Sequence, residues 1–571
     1  MILGINDGHD AGVALIDHTG DILFAANEER FTGKKQQWGF PSRSLDHLLS
    51  VTGVTPANIT DVAIGFQGLV ETESSSALGS ASVGLTRRAF TAATALAGPL
   101  MASSLATVAV RAATRLLRRN RPVIAAQLGT RGLGHCRVSF LKHHEAHAAS
   151  AYFTAGRASA CVLTVDAGGD GWSGSLWKGH DGRLELIACL PRVHSLGDLW
   201  LAVTLLCGFN PDRHGGKVTG LAAFKPCPEA LDTLRQFYEA VPGRFLVRNR
   251  RHLFWKRLVA ELRVALAPFD REQISWAAQK LLEELVLHLV REGMRLTGQS
   301  DIAVAGGVFA NVKLNLEILR LPGVTSFYVH PHMGDGGTAL GAALALAAAR
   351  NPLAPREMEH VFLGTEPGVP TPIALQEFDV ALFPDPEKLA DRAAELVAAN
   401  KVLGLVQGRM EYGPRALCHR TILYHPFDPG VQDWLNSRLS RTEFMPFAPV
   451  VPASLAGDYF ELADKASLPA RFMTICLPAT ERCTREAPAI VHVDGTARPQ
   501  VVLPAQLPLM HEMLLAFGRR TGVPVLINTS FNRHEHPIIA TVDHALEELR
   551  RGVVDGLVLD GMVVQPRGVN G

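Results

Sequence analysis

The sequence predicts an α/β protein in which one arrangement of strands and turns occurs twice. Near the N-terminus, the strand-like runs ILGIN, VALID and ILFAAN are separated by the polar turns DGHDAG and HTGD. Residues 161–190 repeat this order, with CVLTVD, WSGSLWK and RLELIACL separated by the turns AGGDG and HDG. A chain of 571 residues is also too long for one core, so two or three domains are expected.

Both repeats carry a Gly-rich turn and are followed by helical sequence, most clearly at residues 272–296. Glycine lets backbone N–H groups approach a phosphate closely. Two such units are typical of actin, sugar kinases and chaperone-type ATPases, so we predict a duplicated actin-like (ASKHA) ATPase domain. Two unrelated hairpins remain the alternative, because short strand patterns are common.

A second α/β domain is predicted after residue 355. The composition turns to Pro, Glu and Gly over residues 351–372, which is typical of a domain edge. Beyond it, a helix near residues 386–400 alternates with the strands KVLGLVQG and VPVLIN. We therefore place the first domain at 1–355, with an Ala-rich helical insertion at about 70–130, and the second at 356–571.

Composition limits the classes of partner and the cellular compartment. With 56 Lys plus Arg against 55 Asp plus Glu, the net charge of +1 gives no footprint for nucleic acid. The eight cysteines are scattered, without a CxxC pair or a dense disulfide framework, which fits a reducing cytoplasm. No secretory signal pattern precedes the strand-like start, so the mature chain is expected to begin at Met1. The oligomeric state stays open, a homodimer included.

Residues 89–110 carry no charged side chain and are flanked by arginines on both sides. Their length is close to the roughly 20 residues that span a bilayer. However, the run is rich in Ala, Thr and Ser, has Gly98 and Pro99 at its centre, and shows no charge asymmetry between its flanks. We favour a kinked helical pair packed on the body. Membrane spanning, membrane-surface attachment and a lid over an apolar substrate stay open.

A metal site is predicted from two histidines and two aspartates. His143 and His147 are four residues apart, so on a helix both imidazoles project from one face. Such a pair alone is also common in cores and on surfaces. Asp166 and Asp335 lie at Gly-rich turns and add two carboxylates, which together make a mixed site for iron, zinc or manganese. His144 is either a spare ligand or a surface residue.

A nucleotide site is predicted in the same domain. Gly306, Gly307 and Asn311 of AGGVFAN follow a buried-looking strand, as a backbone cradle for adenosine or phosphate requires. Lys217 of RHGGKVTG is either a cation that neutralises phosphate or an ordinary solvated lysine.

The second domain carries a predicted anion pocket. Four arginines lie around the turn of GRMEYGPRALCHR and in ARPQ: Arg409, Arg415, Arg420 and Arg498. Guanidinium groups bind planar anions through two parallel hydrogen bonds. INTSFN adds polar side chains at the end of an apolar strand, where α/β sheets commonly bind ligands: Asn528, Ser530 and Asn532. The alternative is that these side chains satisfy local backbone groups.

Taken in order, eight segments of the chain resemble the NodU/CmcH O-carbamoyltransferases. The segments are HHEAHAASAY, GGKVTGLAA, AGGVFAN, GDGGTALGAA, GRMEYGPRALCHR, RTEFMPFAP, ARPQ and INTSFN. The resemblance implies a first domain similar to the threonylcarbamoyl-adenosine enzymes of tRNA modification and a YrdC-like second domain. It further implies that carbamoyl phosphate and ATP form carbamoyl-adenylate, whose carbamoyl group passes to a hydroxyl of a sugar, antibiotic or lipo-oligosaccharide.

The resemblance also implies roles for particular residues. The metal ligands that it implies are His143, His147, Asp166 and Asp335. The metal is expected to be Fe(II), and Mg²⁺ could accompany the phosphates. The nucleotide-binding residues that it implies are Lys217, Gly306, Gly307, Asn311 and Asp335. The residues that it implies for binding carbamoyl phosphate are Lys35, Arg415, Arg498, Asn528 and Ser530. We also expect Lys35 to be a catalytic residue.

The acceptor hydroxyl would benefit from a base, for which His9 of DGHDAG is our candidate; otherwise His9 is a turn histidine bonded to local backbone. Where some family members have Lys and Arg, this chain has Leu439 and Met445, which leaves Arg441 as the nearby cation. The alternative functions are a non-catalytic nucleotide-binding regulator and a metallopeptidase. The latter is disfavoured because HExxH is absent.

Overall fold

The computed structural model describes residues 1–66, 121–440 and 444–568. Residues 89–110, and with them most of the expected insertion, lie outside the described residues, as does Arg441. Contacts divide the chain into two compact units, Met1–Glu28 with Gln36–Met358 and Glu29–Lys35 with Glu359–Gly571. The segment Glu29–Lys35, which the sequence placed in the first domain, thus groups with the second unit.

The first unit contains two five-stranded sheets among its described residues. Its strands are β1 (Ile2–Asn6), β2 (Gly12–Ile16), β3 (Ile22–Asn27), β4 (Asp61–Ile64), β5 (Arg137–Phe140), β6 (Ala160–Gly169), β7 (Trp172–His180), β8 (Arg183–Pro191), β9 (Tyr238–Ala240), β10 (Val247–Asn249), β11 (Asp301–Ala305) and β12 (Ser326–Val329). The sheet orders are β3-β2-β1-β4-β5 and β12-β11-β6-β7-β8, and β9 pairs with β10.

The two sheets have the same topology. β1 pairs antiparallel with β2 and parallel with β4, and β6 correspondingly pairs antiparallel with β7 and parallel with β11. In each sheet a further antiparallel strand and a further parallel strand complete the order. The predicted duplication is therefore confirmed, and the two strand-and-turn patterns are not unrelated hairpins.

Helices cover these sheets. The helices of the first unit are Ser42–Val51, Arg121–Gly129, His143–Phe153, Leu196–Leu206, Gly215–Leu221, Pro228–Arg235, Trp255–Ala265, Arg271–Thr297, Val312–Arg320 and Thr338–Arg350. The short helix Glu29–Thr32 belongs to the segment that groups with the second unit. The predicted long helix is Arg271–Thr297, which begins with a capping box at Asp270 and ends at Gly298 in the left-handed conformation.

Small residues bring one helix close to two neighbours. Helix Thr338–Arg350 is rich in alanine and approaches helix His143–Phe153 so closely that a Cβ on Gly341 would lie 1.8 Å from Ala146 O. A Cβ on Gly4 of β1 would lie 1.9 Å from Ala339 O of the same helix. Glycine at these positions therefore fixes how the two helices that frame the predicted metal ligands pack against each other and against the first sheet.

The second unit contains an eight-stranded mixed sheet and a two-stranded sheet. Its strands are β13 (Phe378–Leu382), β14 (Leu403–Val406), β15 (Arg420–Tyr424), β16 (Ala448–Pro452), β17 (Leu477–Pro478), β18 (Thr496–Ala497), β19 (Gln500–Val502), β20 (Leu526–Ser530), β21 (Gly556–Leu559) and β22 (Met562–Pro566). The order of the large sheet is β13-β22-β21-β14-β15-β20-β16-β19. β17 pairs with β18.

The helices of the second unit are Pro372–Leu375, Pro386–Ala398, Val431–Arg438, Ala456–Tyr459, Ser467–Arg471, Glu481–Glu486, Pro508–Thr521 and Val542–Arg550. Apolar side chains of Pro386–Ala398 and Pro508–Thr521 share one buried core with the large sheet. The predicted mixed α/β class is thus confirmed for this unit, and its likeness to YrdC stays a prediction. Among the described residues, no helix combines the length and apolar character that crossing a membrane requires.

Candidate active site

The histidine pair lies at the start of helix His143–Phe153. The backbone N–H of His143 donates to Asp170 Oδ2 at 2.8 Å, which satisfies one donor of the helix N-terminus. Both histidines are buried, and their Nε2 atoms are 3.1 Å apart. The predicted helical spacing therefore directs both Nε2 atoms to one point.

Two carboxylates meet these nitrogens. His147 Nε2 lies 3.2 Å from Asp166 Oδ2 and 3.6 Å from Asp335 Oδ1. His143 Nε2 lies 3.8 Å from the same oxygen of Asp166 and 3.5 Å from that of Asp335. The four ligand atoms all lie within 4.8 Å of one another.

This donor set fits a single divalent ion. Protein ligands lie about 2.0–2.2 Å from such an ion, so two ligands on opposite sides of it are about 4 Å apart. Two imidazole nitrogens and two carboxylate oxygens are a suitable mixture for iron, manganese or zinc. The structure thus brings together all four predicted ligands, which we call the metal group.

Within the metal group, His147 and Asp166 shift each other's pKa values. Burial alone would lower the pKa of His147, but hydrogen bonds and charge from Asp166 and Asp335 outweigh it and raise the pKa to about 9. Burial would likewise raise the pKa of Asp166, yet His143 and His147 hold it well below its usual value. A divalent ion that binds His147 therefore displaces a proton.

His144 has a different role from both predictions made for it. It is buried, and its ring bonds to Thr164 Oγ1 at 2.8 Å and to Trp172 O at 3.2 Å. Burial and the neighbouring histidines lower its pKa well below the ordinary value, so the ring is neutral. His144 is a core residue, neither a spare ligand nor a surface residue.

An amide network that the sequence did not reveal supports Asp335. Asn6 Nδ2 donates to the backbone oxygens of His9, Asp10 and Asp335 at 2.8, 3.2 and 3.1 Å. Asn27 Nδ2 also donates to Asp10 O, and His332 Nε2 lies 2.9 Å from Asn27 Oδ1. Asn6 and Asn27 are the last residues of two buried strands. A buried amide at a strand end needs hydrogen-bond partners, and this is the sequence feature that could have predicted the network.

His9, the predicted base, lies at the edge of the metal group. Its Nδ1 is 3.9 Å from Asp335 Oδ2, and its ring stands edge-on to the indole of Trp38 at 5.3 Å between centroids. These contacts differ from the purely local backbone bonding that was the alternative. Its role as a base stays a prediction.

The Gly-rich turn after β11 contacts the same oxygen of Asp166 that faces the two histidines. Gly306 has φ 106°, and a Cβ there would lie 2.3 Å from Val165 O, so only glycine is compatible with this turn. The N–H of Gly307 donates to Asp166 Oδ2 at 3.2 Å. The structure thus places this predicted nucleotide turn against the metal group.

Asn311 and Lys217 are both buried. Asn311 caps helix Val312–Arg320 by accepting from Leu314 N at 3.0 Å, and its amide pairs with Gln279 at 2.7 and 3.2 Å. Its side chain therefore has a structural role, and a contact with the nucleotide stays a prediction. Lys217 lies on helix Gly215–Leu221 with Nζ 5.9 Å from the Phe209 ring centroid. The interpretation of Lys217 as a solvated lysine is wrong.

In the second unit, the segment GRMEYGPRALCHR folds around a carboxylate that sequence reasoning missed. Glu411 is 2% exposed, and its Oε1 accepts N–H groups from three residues at 2.8–3.0 Å: Leu417, His419 and Arg420. Burial alone would raise the pKa of Glu411, but His419, Arg420 and the backbone donors outweigh it and lower the pKa. We call residues 409–420 the arginine loop.

Two arginines of the arginine loop bond to backbone carbonyls. Arg409 donates to Gly364 O and Leu363 O at 2.8 and 2.6 Å. Arg420 is fully buried and donates to carbonyls that include Gln407 O and Ala540 O at 2.6 and 3.2 Å. These two side chains hold the loop, whereas Arg415 lies half-buried on the turn between them.

Of the remaining predicted anion residues, Asn528 contacts this turn directly. Asn528 is buried on β20, where its Nδ2 donates to Ala416 O at 3.4 Å and to Gln500 Oε1 at 2.5 Å. Ala416 adjoins Arg415, and Gln500 lies two positions after Arg498. Ser530 pairs with Thr421 of β15 at the end of the same strand.

Lys35 ends the segment that groups with the second unit. In that segment, Arg30 Nη2 donates to Gly413 O of the arginine loop at 2.7 Å. Asn532 instead bonds to Arg533 O and His536 O, which is the local role considered as its alternative. Leu439 is fully buried, so its position is part of the core.

Both halves of the chain match known carbamoyltransferase domains. The description "Carbamoyltransferase N-terminus" matches residues 1–344, and "Carbamoyltransferase C-terminus" matches residues 394–566. The chain belongs to the carbamoyltransferase family. Nodulation protein NolNO of Sinorhizobium fredii is 33% identical to it, over 98% of this chain and 79% of the relative.

Two further relatives match part of the chain. Nodulation protein U of Rhizobium tropici is 32% identical, over 44% of this chain and 42% of the relative. The 3'-hydroxymethylcephem-O-carbamoyltransferase of Amycolatopsis lactamdurans is also 32% identical, over 46% of this chain and 48% of the relative. The resemblance to the NodU/CmcH family is confirmed, and with it the expectation that the protein is an enzyme. A non-catalytic regulator and a metallopeptidase are thereby disfavoured.

Proposed function

We propose that the enzyme is an ATP-dependent O-carbamoyltransferase that acts on a small molecule with a hydroxyl group. The observation that carries this proposal is the convergence of the metal group, the Gly306–Gly307 turn and His9. The relatives include a carbamoyltransferase named for a hydroxymethyl acceptor, which supports transfer to oxygen. Because ATP and carbamoyl phosphate are made in the cytoplasm, we propose that the reaction takes place there.

The proposed reaction has two stages. Carbamoyl phosphate first gives up its phosphate to water, and an oxygen of the resulting carbamate attacks the α-phosphorus of ATP. Carbamoyl-adenylate forms and pyrophosphate leaves. The acceptor hydroxyl then attacks the carbamoyl carbon, and AMP leaves with the electron pair of the broken bond. The acceptor proton passes to a base.

The second unit would bind carbamoyl phosphate. Arg415, Arg498, Lys35, Asn528 and Ser530 offer cations and hydrogen-bond donors that suit a phosphate and a neighbouring carbonyl. The half-buried position of Arg415 on a turn held by Glu411 and Arg420 restricts its motion, so less conformational entropy is lost on binding.

The first unit would bind the nucleotide and perform the transfer. His143, His147, Asp166 and Asp335 would hold a divalent ion, Fe(II) in our proposal, which supplies Lewis-acid stabilisation of negative charge on oxygen. Mg²⁺ would accompany the phosphates. The Gly306–Gly307 turn lets the nucleotide approach the backbone, and Lys217 would offset phosphate charge. His9 would accept the acceptor proton.

The test is to incubate purified protein with ATP, carbamoyl phosphate and Fe(II), Mn(II) or Zn(II) in parallel, without acceptor. We expect pyrophosphate and carbamoyl-adenylate, the latter identified by mass spectrometry. Arg415→Ala should lower the yield by at least about tenfold, because one charged donor to phosphate is lost. Arg485→Ala, which changes an exposed arginine of the same unit, is the matched control. Neither product from wild-type protein with any of the metals would refute the proposal.

A further inference from the structure

The start of one helix packs directly on the backbone beside Asp166. Helix Leu196–Leu206 follows its N-cap residue, Ser195. A Cβ on Gly197 would lie 2.3 Å from Ala167 N and 2.6 Å from Asp166 C. Glycine therefore allows the first turn of the helix to contact the peptide group that joins Asp166 to Ala167. Because Asp166 belongs to the metal group, this helix reaches the predicted metal site from outside the four ligands.

Ser195 bonds to the same stretch of backbone through its side chain. The residue is buried, and its Oγ donates to Ala167 O at 2.7 Å and, at the longer distance of 3.3 Å, to Asp166 O. Oγ also accepts from Asp198 N at 2.9 Å, as an N-cap requires. A hydroxyl has one proton to donate, and the backbone beside Asp166 receives it. One side chain thus joins the helix to the turn.

The peptide group between Asp166 and Ala167 in turn orients the carboxylate of Asp166. Its carbonyl faces Ser195 Oγ, and its N–H donates to Asp166 Oδ1 at 2.5 Å. This bond occupies Oδ1, while Oδ2 faces His147 Nε2 at 3.2 Å. Since a peptide group is planar, its N–H turns whenever its carbonyl turns. The direction of the metal-facing oxygen therefore depends on a bond made by Ser195.

An ion pair confines the rest of this turn. Arg192 Nη2 donates to Asp198 Oδ1 at 2.9 Å, and Nη1 donates to Oδ2 of the same carboxylate. A Cβ on Gly168 would lie 2.1 Å from Arg192 Cδ, so the arginine side chain lies against the turn. Arg192 N also donates to Gly171 O at 3.1 Å. The turn is thus held by an arginine and an aspartate as well as by the serine between them.

Ser195 is itself held by the hairpin of β9 and β10. Tyr238 of β9 is buried, and its hydroxyl donates to Ser195 O at 3.1 Å. Asn249 of β10 is also buried, and its Nδ2 donates to Val193 O at 3.2 Å. These bonds fix the backbone of the serine, so its hydroxyl has a constant position from which it bonds to the turn. A residue that positions a ligand needs such support.

We propose that Ser195 is a positioning residue of the metal group. Its hydroxyl fixes the peptide group after Asp166 and thereby directs Asp166 Oδ2 to the ion, although Ser195 itself touches neither ion nor substrate. This inference rests on the metal group of the proposed function and adds a residue outside the four ligands. Without the hydroxyl, the carboxylate would point to the ion for a smaller fraction of the time. The affinity for the ion falls by that fraction, although all four ligands remain.

The experiment is a calorimetric titration of the chelator-treated full chain with Mn(II). Ser195→Ala should weaken binding by about tenfold, because a group that orients a ligand is lost. Gly197→Ala should weaken it as well, since the added methyl displaces Ala167 N, although alanine favours a helix more than glycine does. The two variants thus act on one peptide group through different atoms.

Each variant has a matched control in the first unit. Asp270→Ala removes the N-cap of helix Arg271–Thr297, as Ser195→Ala removes that of its own helix. Gly129→Ala adds a methyl at the end of a helix, where no other atom lies within 4 Å of it. Both controls should bind Mn(II) with the affinity of the wild type.

Two readouts separate positioning from a general loss of stability. The electron paramagnetic resonance spectrum of Mn(II) bound to Ser195→Ala should show a changed zero-field splitting, because the carboxylate oxygen has moved. In the Asp166→Asn background, Ser195→Ala should weaken binding by less than about twofold further, because the oriented carboxylate is already absent.

The inference is refuted if Ser195→Ala binds Mn(II) with wild-type affinity. It is equally refuted if Ser195→Ala weakens binding as much in the Asp166→Asn background as in the wild type. The proposed reaction is tested separately by carbamoyl-adenylate formation in the wild type, and its failure there would leave the result for Ser195 in place. A wild-type protein that binds none of Mn(II), Fe(II) and Zn(II) would refute the metal group, and this inference with it.

Discussion

Asp166 of the first unit and Glu411 of the second unit both carry carboxylates with little solvent exposure, yet the oxygens of these carboxylates have different partners. Asp166 Oδ2 accepts a single backbone N–H, from Gly307, at 3.2 Å. The same oxygen also faces His147 and His143 across 3.2 and 3.8 Å, at spacings that fit an ion between them. Glu411 Oε1 is filled by three backbone N–H groups at 2.8–3.0 Å. A carboxylate that faces other ligand atoms is suited to bind an ion, whereas one filled by backbone donors fixes the fold of a loop.

The same contrast exists between two arginines of the arginine loop, and it predicts the largest effect on stability. Arg420→Ala should lower the free energy of unfolding by about 3–5 kcal/mol, because it removes the buried charge beside Glu411 and leaves carbonyls without donors. Arg415→Ala should change it by less than about 1 kcal/mol, since Arg415 is half-buried on the turn. Urea unfolding at neutral pH measures both.

Matched carboxylate-to-amide changes test the comparison at the metal group. Asp166→Asn should lower the affinity for a divalent ion by more than about a hundredfold, because a charged ligand is lost. Glu411→Gln should leave that affinity unchanged. Calorimetric titration with Mn(II) of chelator-treated protein measures the difference. If Asp166→Asn and Glu411→Gln bound Mn(II) with equal affinity, the contrast between the two carboxylates would be wrong.

The pH dependence of stability should single out Glu411. Its pKa is lowered in the folded protein, so its contribution to stability is present above the unfolded pKa of about 4.3 and is lost as the pH falls through the folded pKa. Glu411→Gln should therefore flatten the loss of stability below about pH 4.3, by up to about 1.4 kcal/mol per pH unit. Unfolding curves at several pH values measure the slope. An unchanged slope would contradict the assignment.

The smallest predicted effect concerns the backbone of the arginine loop. Cys418 is buried with φ 77°, a left-handed conformation that costs a residue with a Cβ about 1–2 kcal/mol. Cys418→Gly and Cys418→Ala both remove the Sγ bond to Gln500, which is 3.2 Å long, and differ only in the Cβ. The Gly variant should be the more stable by about 1 kcal/mol in thermal or urea unfolding. A more stable Ala variant would show that this backbone conformation is not strained.

The features predictable from sequence were those encoded within short segments. The duplicated sheet follows from alternating strands and turns, and the histidine pair from its spacing of four residues. The two aspartates could be added because each lies at a Gly-rich turn. The metal group could be predicted although its residues are far apart in sequence, because each of its four residues belongs to a recognisable local pattern.

The missed features depend on contacts that no local pattern encodes. Asn27 meets His332 across 305 positions of the chain, and Asn6 meets Asp335 across 329. Lys217 and His144 are buried through tertiary packing, which single-residue tendencies do not predict. The structural use of Arg409 and Arg420 likewise became visible only with the carbonyls that face them.

The central claim, that the metal group is the catalytic centre, is tested most directly by metal removal and return. Wild-type protein is treated with a chelator, and carbamoyl-adenylate formation is then measured as Fe(II), Mn(II) or Zn(II) is added back. We predict that product formation is lost on stripping and returns in proportion to bound metal, reaching a plateau near one ion per chain. His147→Ala should not recover. His180→Ala, a change at a partly exposed histidine beside two carboxylates, should recover. Undiminished carbamoyl-adenylate formation by fully stripped wild-type protein would contradict the account.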